Sequence, residues 1–333
     1  MTDAPYVAGS PFEKIAIVGE YPGAEEERCG GAFVGKAGQL LTELLQHAGI
    51  SRQQCYLDNV FQFRPARNDI SPFLRVQEGK TRESPEYHSN RERLRQRLAD
   101  SKANVIVALG NVSLYTLTGK TNVTKQRGSI LESTLLPGKK VIPVIHPSAA
   151  LREFLFRYYI VNDFLRVRKE SEFPEIRLRN RHLVLEPSME DVEQFIARCR
   201  GLDRVAYDIE VRGMEMSHIA ISSEPDMSVC IPFVNGQIDY WNPEQEAHVM
   251  CLLAGLLEDP KVEKIGQNLS FDATFLYSKY NIVGKPLQDT MIAAGILYPD
   301  FPKGLDFLVA QYCDGEPYYK DDGKEWFKNP FGS

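Results

Sequence analysis

The sequence has no C-x-x-C pair: its six cysteines (Cys29, Cys55, Cys199, Cys230, Cys251, Cys313) are scattered. That argues against the usual zinc and iron–sulfur spacings and for buried free thiols in a reducing compartment. No apolar run approaches the length of a membrane span, and MTDAPYVAGS at the N-terminus is no signal peptide, so the expected compartment is cytoplasmic. An overall positive charge is missing too. The net charge is -6, which by itself argues against nucleic acid as a partner. The halves disagree, however: residues 1–170 carry 24 Lys+Arg against 18 Asp+Glu, a net +6, and residues 171–333 carry 15 against 27, a net -12. An acidic half still binds DNA where divalent cations bridge it to phosphates.

What is present begins with length. A chain of 333 residues, 43% hydrophobic, predicts two domains with sizeable cores. The first is organised around Gly19 to Leu41, which follows an apolar strand, Ile15 to Val18, and runs into a helix beginning near Ala37. This stretch holds six glycines, the carboxylates Glu20, Glu25, Glu26 and Glu27, and the aromatic Phe33. It lacks G-x-G-x-x-G spacing and a G-K-[ST] ending, which weakens dinucleotide and nucleoside-triphosphate readings. Further apolar strands end at Asn59, at Gly110 after VIVAL, and at His146 after KVIPVI, with helices between them. The pattern predicts a doubly wound parallel sheet whose strand ends bring Glu20, Asn59 and His146 to one cleft. Residues 64–88 read as a long exposed loop. Arg91, Arg93, Arg95 and Arg97 alternate along the next helix and read as a solvated face. A helix from Glu153 to Lys169 closes this domain, residues 1–168. A charged linker, 169–182, leads to a second domain, 183–333.

The order and spacing of G-E-x-P-G at Gly19, G-x-x-F-V-G-x-A-G-x-L-L, Asn59-Val60, T-K-x-R-G at Thr124 and His146-Pro147-Ser148 resemble the family 4 uracil-DNA glycosylases. The resemblance covers Ile15 to about Asp163. It implies that a base is flipped out of the helix into the cleft. Phe33 would stack on uracil, Asn59 would read its edge and discriminate against cytosine, and His146 would stabilise the leaving anion. Glu20 would position water or stabilise the cationic sugar. Tyr21, where the family has a small residue, would narrow the base pocket. Lys125, Arg127, Ser148 and Arg152 would contact DNA, with Leu151 as a wedge in the minor groove. The family's four cluster cysteines have no counterparts here. None stands before the first strand, Phe63 occupies the third position, and none lies in Tyr87 to Arg95. An iron–sulfur cluster is therefore expected to be absent.

In the second half, Asp208-x-Glu210 puts two carboxylates on one face of a strand. With Asn268-x-x-x-Asp272 and the D-T-M helix near Gln288, the stretch resembles the proofreading 3′-5′ exonuclease domains of phage family A DNA polymerases, of ribonuclease H-like α/β fold. The resemblance implies two Mg²⁺ ions held by Asp208, Glu210 and Asp272 about 4 Å apart. Asn268 would support the site against DNA. Tyr318 and Asp322 fit the spacing of a third motif but sit where the family has a preceding loop. The expected protein is thus the N-terminal region of a DNA polymerase, linked to a polymerase domain outside the chain and acting in a host cell's cytoplasm. It would act on single-stranded 3′ ends and on uracil-containing or modified DNA. A glycosylase domain that grips a base without cutting is the alternative.

Overall fold

The computed structural model describes residues 6–76, 81–235, 238–313 and 316. The described residues fall into two compact units, 6–178 together with 309–313 and 316, and 179–308.

In the first unit, the strands are β1 (Ile15–Gly19), β2 (Cys55–Asn59), β3 (Leu74–Arg75), β4 (Arg82–Glu83), β5 (Val105–Leu109), β6 (Leu131–Glu132) and β7 (Lys140–Val144). The main sheet has the order β2-β1-β5-β7-β6, parallel except where β6 meets β7. Every residue of β1, β2, β5 and β7 is buried, as short apolar strands covered on both faces by helices must be. The helices are α1 (Ala24–Cys29), α2 (Lys36–His47), α3 (Pro85–Ala99), α4 (Asn111–Thr118), α5 (Val123–Gln126), α6 (Pro147–Ala150) and α7 (Phe156–Glu170). On α2, Leu40, Leu41, Leu44 and Leu45 form one buried stripe at helical spacing. Each such leucine contributes roughly 1.5–3 kcal/mol. Lys140, fully buried at the start of β7, gives its ammonium to Glu170 at 2.8 Å and to the carbonyls of Phe173 and Glu175, which ties down the end of α7.

Three expectations are corrected here. A helix, α1, interrupts the stretch read as a continuous loop. The antiparallel pair β3–β4 occupies part of 64–88, and α3 starts at Pro85, N-capped by Ser84, which accepts from the Tyr87 N–H. The arginines of α3 are not all solvated. Arg95 pairs with Glu92 at the surface, but Arg97 turns inward onto Asp58, leaving 19% of its side chain exposed.

The second unit carries β8 (His182–Val184), β9 (Arg204–Arg212), β10 (Glu215–Glu224), β11 (Met227–Pro232), the small pair β12 (Val234–Asn235) and β13 (Ile238–Asp239), β14 (Glu263–Gly266) and β15 (Leu287–Asp289). Its helices are α8 (Met189–Cys199), α9 (Pro243–Leu257), α10 (Leu269–Tyr280) and α11 (Thr290–Leu297), and the division between the units falls within a last helix, α12 (Leu305–Tyr312). The six-stranded sheet has the order β15-β14-β9-β10-β11-β8. Strands β9, β10 and β11 are antiparallel, while β14 runs parallel to both β9 and β15. Three antiparallel strands flanked by parallel ones that helices connect make this a ribonuclease H-like α/β fold. Capping boxes start α8 (Ser188 with Asp191) and α9 (Asn242 with Gln245), which satisfies the first free N–H groups of each helix. No helix among the described residues is long and apolar enough to cross a membrane.

Candidate active site

The carboxyl ends of β1, β2, β5 and β7 share one edge of the first sheet, and a cavity of about 870 Å³ opens there. Glu20, Tyr21, Phe33, Asn59, His146 and Arg152 are among its lining residues. The chain leaves β1 for β2 on one side and returns to β5 on the other, so the cavity lies where parallel α/β sheets leave a crevice.

Phe33 owes its position to a carboxylate. Glu26, on α1 and 7% exposed, accepts the N–H groups of Val34 and Gly35 at 2.8 and 2.9 Å. Those donors open α2, and a carboxylate there also meets the positive end of the helix. Arg52 holds the same loop from below, donating to the carbonyls of Ala32 (2.7 Å) and Gly38 (3.2 Å). Phe33 itself takes a left-handed backbone conformation (φ 53°) and is buried. A β-carbon on Gly38 would collide with the Phe33 carbonyl, which is why α2 needs glycine at that turn. Glu26 and Arg52 escape a reading of motifs. The sequence signal for Glu26 was a carboxylate nine residues before a glycine-led helix start.

Asn59 ends β2 with its side chain buried (2% exposed), across Gly19 from the Phe33 ring. His146 follows β7 and N-caps α6. The Ser148 N–H donates to His146 Nδ1 at 3.2 Å, and the Ser148 hydroxyl lies 2.8 Å from the same nitrogen. A backbone amide only donates, so Nδ1 is the acceptor and the neutral ring carries its proton on Nε2. Burial pushes the His146 pKa down to about 4, against a smaller upward pull from Glu26. The ring is therefore a neutral hydrogen-bond donor at neutral pH. Its centroid lies 6.4 Å from that of Phe33. Burial likewise raises Glu20 to about 7, so this carboxyl stands at the boundary between acid and base at neutral pH.

The other residues singled out from sequence divide. Tyr21 lines the cavity, and its hydroxyl donates to the Asn68 carbonyl at 3.1 Å. Ser148 lines it as well, but its hydroxyl and amide are engaged with His146. Arg152 stands exposed at the cavity and Leu151, 48% exposed, follows α6 directly. Lys125 sits half-buried on α5 and is not among the lining residues. Arg127 is a correction. It is 1% exposed, paired with Asp163 through two bonds (3.1 and 2.9 Å), bonded to the Tyr159 carbonyl and stacked on the Tyr159 ring. It holds α7 against the sheet and contacts no DNA phosphate, because its guanidinium is inside the fold.

In the second unit, Asp208 and Glu210 project from one face of β9, both exposed. Asp272, on α10 and 4% exposed, accepts the N–H of Ile209 at 3.0 Å, which anchors it beside the residue between them. Burial raises the Asp272 pKa, and Asp289 adds to the rise. Asp289, missed by the motif reading except as part of D-T-M, joins two helix starts. It accepts from Asn268 and Leu269 at α10 and from Met291 at α11. Asn268 is the left-handed N-cap of α10 (φ 59°) and is exposed. Asp208 and Glu210 lie mid-strand on β9, and the Ile209 bond brings Asp272 to the same stretch. Among the described residues, however, no group of three His, Cys, Asp or Glu side chains is close enough to hold one ion. Tyr318 and Asp322 lie outside the described residues.

Comparison with known proteins accords with this layout. Residues 7–164 match the family described as "Uracil DNA glycosylase superfamily", and residues 188–331 match "3'-5' exonuclease". A type-4 uracil-DNA glycosylase of Thermotoga maritima is 40% identical over 146 residues, 43% of this chain and 69% of that protein. A type-4 uracil-DNA glycosylase of Archaeoglobus fulgidus is 33% identical over 175 residues, 50% of this chain and 82% of that one. A DNA polymerase of Bacillus phage SP01 is 24% identical over 316 residues, 85% of this chain but only 32% of the polymerase. The chain thus spans about a third of that polymerase.

Proposed function

Because the chain belongs, through its first domain, to the type-4 uracil-DNA glycosylases and continues into a 3′-5′ exonuclease domain, we propose that it removes uracil from DNA and trims 3′ ends as the N-terminal part of a cytoplasmic replicative polymerase. The observation that carries the first activity is the cavity that gathers Phe33, Asn59, His146 and Glu20 from four separate segments. Phe33 supplies the stacking face for a flipped base, and Asn59 supplies one donor and one acceptor for its edge. The neutral His146 Nε2–H stabilises negative charge gathering on the departing base, an effect strongest where water is excluded. Glu20, once ionised, faces the cationic sugar or orients the attacking water. Arg152 holds phosphate and Leu151 enters the space the base vacates.

A [4Fe–4S] cluster has no part in this reading. The first domain has two cysteines, Cys29 and Cys55, where such a cluster takes four thiolates. Cys55 is buried and its thiol is pushed up to about 12. The Phe63 ring, at the third cluster position, packs with Phe61 and Phe73 instead, at centroid distances of 5.6 and 5.1 Å.

For the second activity, Asp208, Glu210 and Asp272 are the residues that would hold Mg²⁺, hard oxygen donors being what that ion takes. When bound, such ions activate water and stabilise the leaving 3′ oxygen. The bond from the Ile209 N–H, which keeps the Asp272 carboxylate beside β9, supports that reading.

The test separates the activities. A uracil-containing strand in EDTA should acquire alkali-labile abasic sites, and His146→Ala should abolish them. With Mg²⁺ and a labelled strand, 3′ degradation should vanish in Asp208→Ala. Uracil binding without abasic sites would instead identify the first domain as a base-binding module.

A further inference from the structure

Asn59 is held from behind by a buried polar cluster that no motif contains. Asp58, fully buried, accepts the Asn59 N–H at 2.7 Å. Arg97 reaches in from α3 and grips both Asp58 oxygens, Nε to Oδ2 at 2.7 Å and Nη2 to Oδ1 at 3.1 Å. The same Nη2 donates to the Asn59 carbonyl at 3.3 Å. Gln62 Nε2 adds bonds to that carbonyl (3.0 Å) and to Asp58 Oδ1 (2.8 Å), and the Tyr56 hydroxyl donates to Asp58 Oδ2 at 3.2 Å. Both peptide groups of Asn59 are therefore fixed by side chains. A buried ion pair with this many bonds costs desolvation and adds little net stability against an apolar replacement, but it does impose geometry.

We infer that Arg97 and Gln62, anchored on Asp58, are positioning residues for base recognition: they aim the Asn59 carboxamide at the flipped base and so set the affinity for uracil. The inference rests on the uracil-excision reading of the cavity. Neither residue lines the cavity, so each acts through Asn59.

The experiment is uracil excision by the full chain carrying Arg97→Lys or Gln62→Leu, with melting temperature followed to confirm folding. Each variant should raise KM roughly tenfold, the scale of one lost hydrogen bond, with kcat within a factor of about two. Arg97→Lys, which keeps the charge, should lose less than Arg97→Met. In an Asn59→Ala background the same changes should have no further effect on KM, since residues acting through one group are non-additive. Arg95→Met, whose guanidinium pairs with Glu92 at the surface, should behave as wild type. Unchanged KM in both folded variants, or a full additional loss on top of Asn59→Ala, overturns the inference and leaves the uracil-excision reading standing. A wild type that binds uracil-containing strands without cutting moves the same comparison to Kd, with the same expected shift. A wild type that neither cuts nor prefers uracil overturns the reading and the inference together.

Discussion

Phe33 and Asn59 face one another across Gly19: a β-carbon on that glycine would lie 2.6 Å from Phe33 Cζ and 2.5 Å from Asn59 Oδ1. The tip of the ring and the amide oxygen come this close to one backbone position because the residue there has no side chain. Gly19→Ala should therefore push the two side chains apart while the strand, which is extended there, still folds. Uracil excision should fall by about a hundredfold, the usual consequence of an ångström-scale misplacement. Wild-type turnover in a folded Gly19→Ala protein would mean that these two residues do not hold the base.

The pH profile should be governed by Glu20. With its pKa at about 7 and His146 at about 4, kcat/KM should rise as pH passes through 7 and show no histidine limb above pH 5. Glu20→Gln should remove that inflection. Stability moves the other way. Folded Glu20 keeps a proton that the unfolded chain releases above its ordinary 4.5, so its contribution is lost as pH climbs from 4.5 to about 7. The melting temperature of Glu20→Gln relative to wild type should rise over that window. A constant difference would contradict the burial of this carboxyl.

Arg127 and Arg152 should separate cleanly. Removing Arg127 strips buried Asp163 of its two guanidinium bonds and leaves Arg166 as its remaining cation, so Arg127→Ala should cost about 3 kcal/mol in denaturant unfolding. Arg152→Ala should leave stability unchanged, weaken DNA binding and reduce the salt-dependence slope by about one. An unstable Arg152→Ala protein, or a stable Arg127→Ala one, would reverse the assignment.

Glu26→Ala should strip Val34 and Gly35 of their acceptor and release the loop that presents Phe33. The expected loss is about 1–3 kcal/mol of stability, together with a larger drop in excision than the melting temperature alone explains. Glu26→Gln, which retains an acceptor oxygen, should recover most of both. Hydrogen exchange at the Val34 and Gly35 amides reports the loop directly.

Asp272→Asn should eliminate metal-dependent 3′ degradation and leave uracil excision in EDTA untouched. Exonuclease activity that persists in both Asp208→Ala and Asp272→Asn would place the nuclease site elsewhere.

The two α/β domains were legible in the chain because strand and helix periodicities differ and because the motifs stand in fixed order. The helices Met189–Cys199 and Pro243–Leu257 each start at an N-cap visible in the chain, Ser188 and Asn242. The short helix Ala24–Cys29 and the Leu74–Arg75 pairing with Arg82–Glu83 were not legible. Four residues of glutamate and arginine give no amphipathic signal, and a two-residue strand has no period at all.

By itself the sequence singled out Glu20, Phe33, Asn59 and His146, through motifs whose order and spacing resemble the glycosylases, and placed them at strand ends and in one loop that a parallel sheet brings to one edge. It equally determined the carboxylate pair on β9, since alternation places Asp208 and Glu210 on one face. Only the tertiary structure decided which arginines face inward. Arg97 and Arg127 read as solvent- or DNA-facing cations because a guanidinium in a polar stretch looks the same whether or not a carboxylate waits for it. Their partners, Asp58 and Asp163, lie 39 and 36 residues away in the chain. Burial of a charge is a property of what packs around it, and no local pattern encodes that.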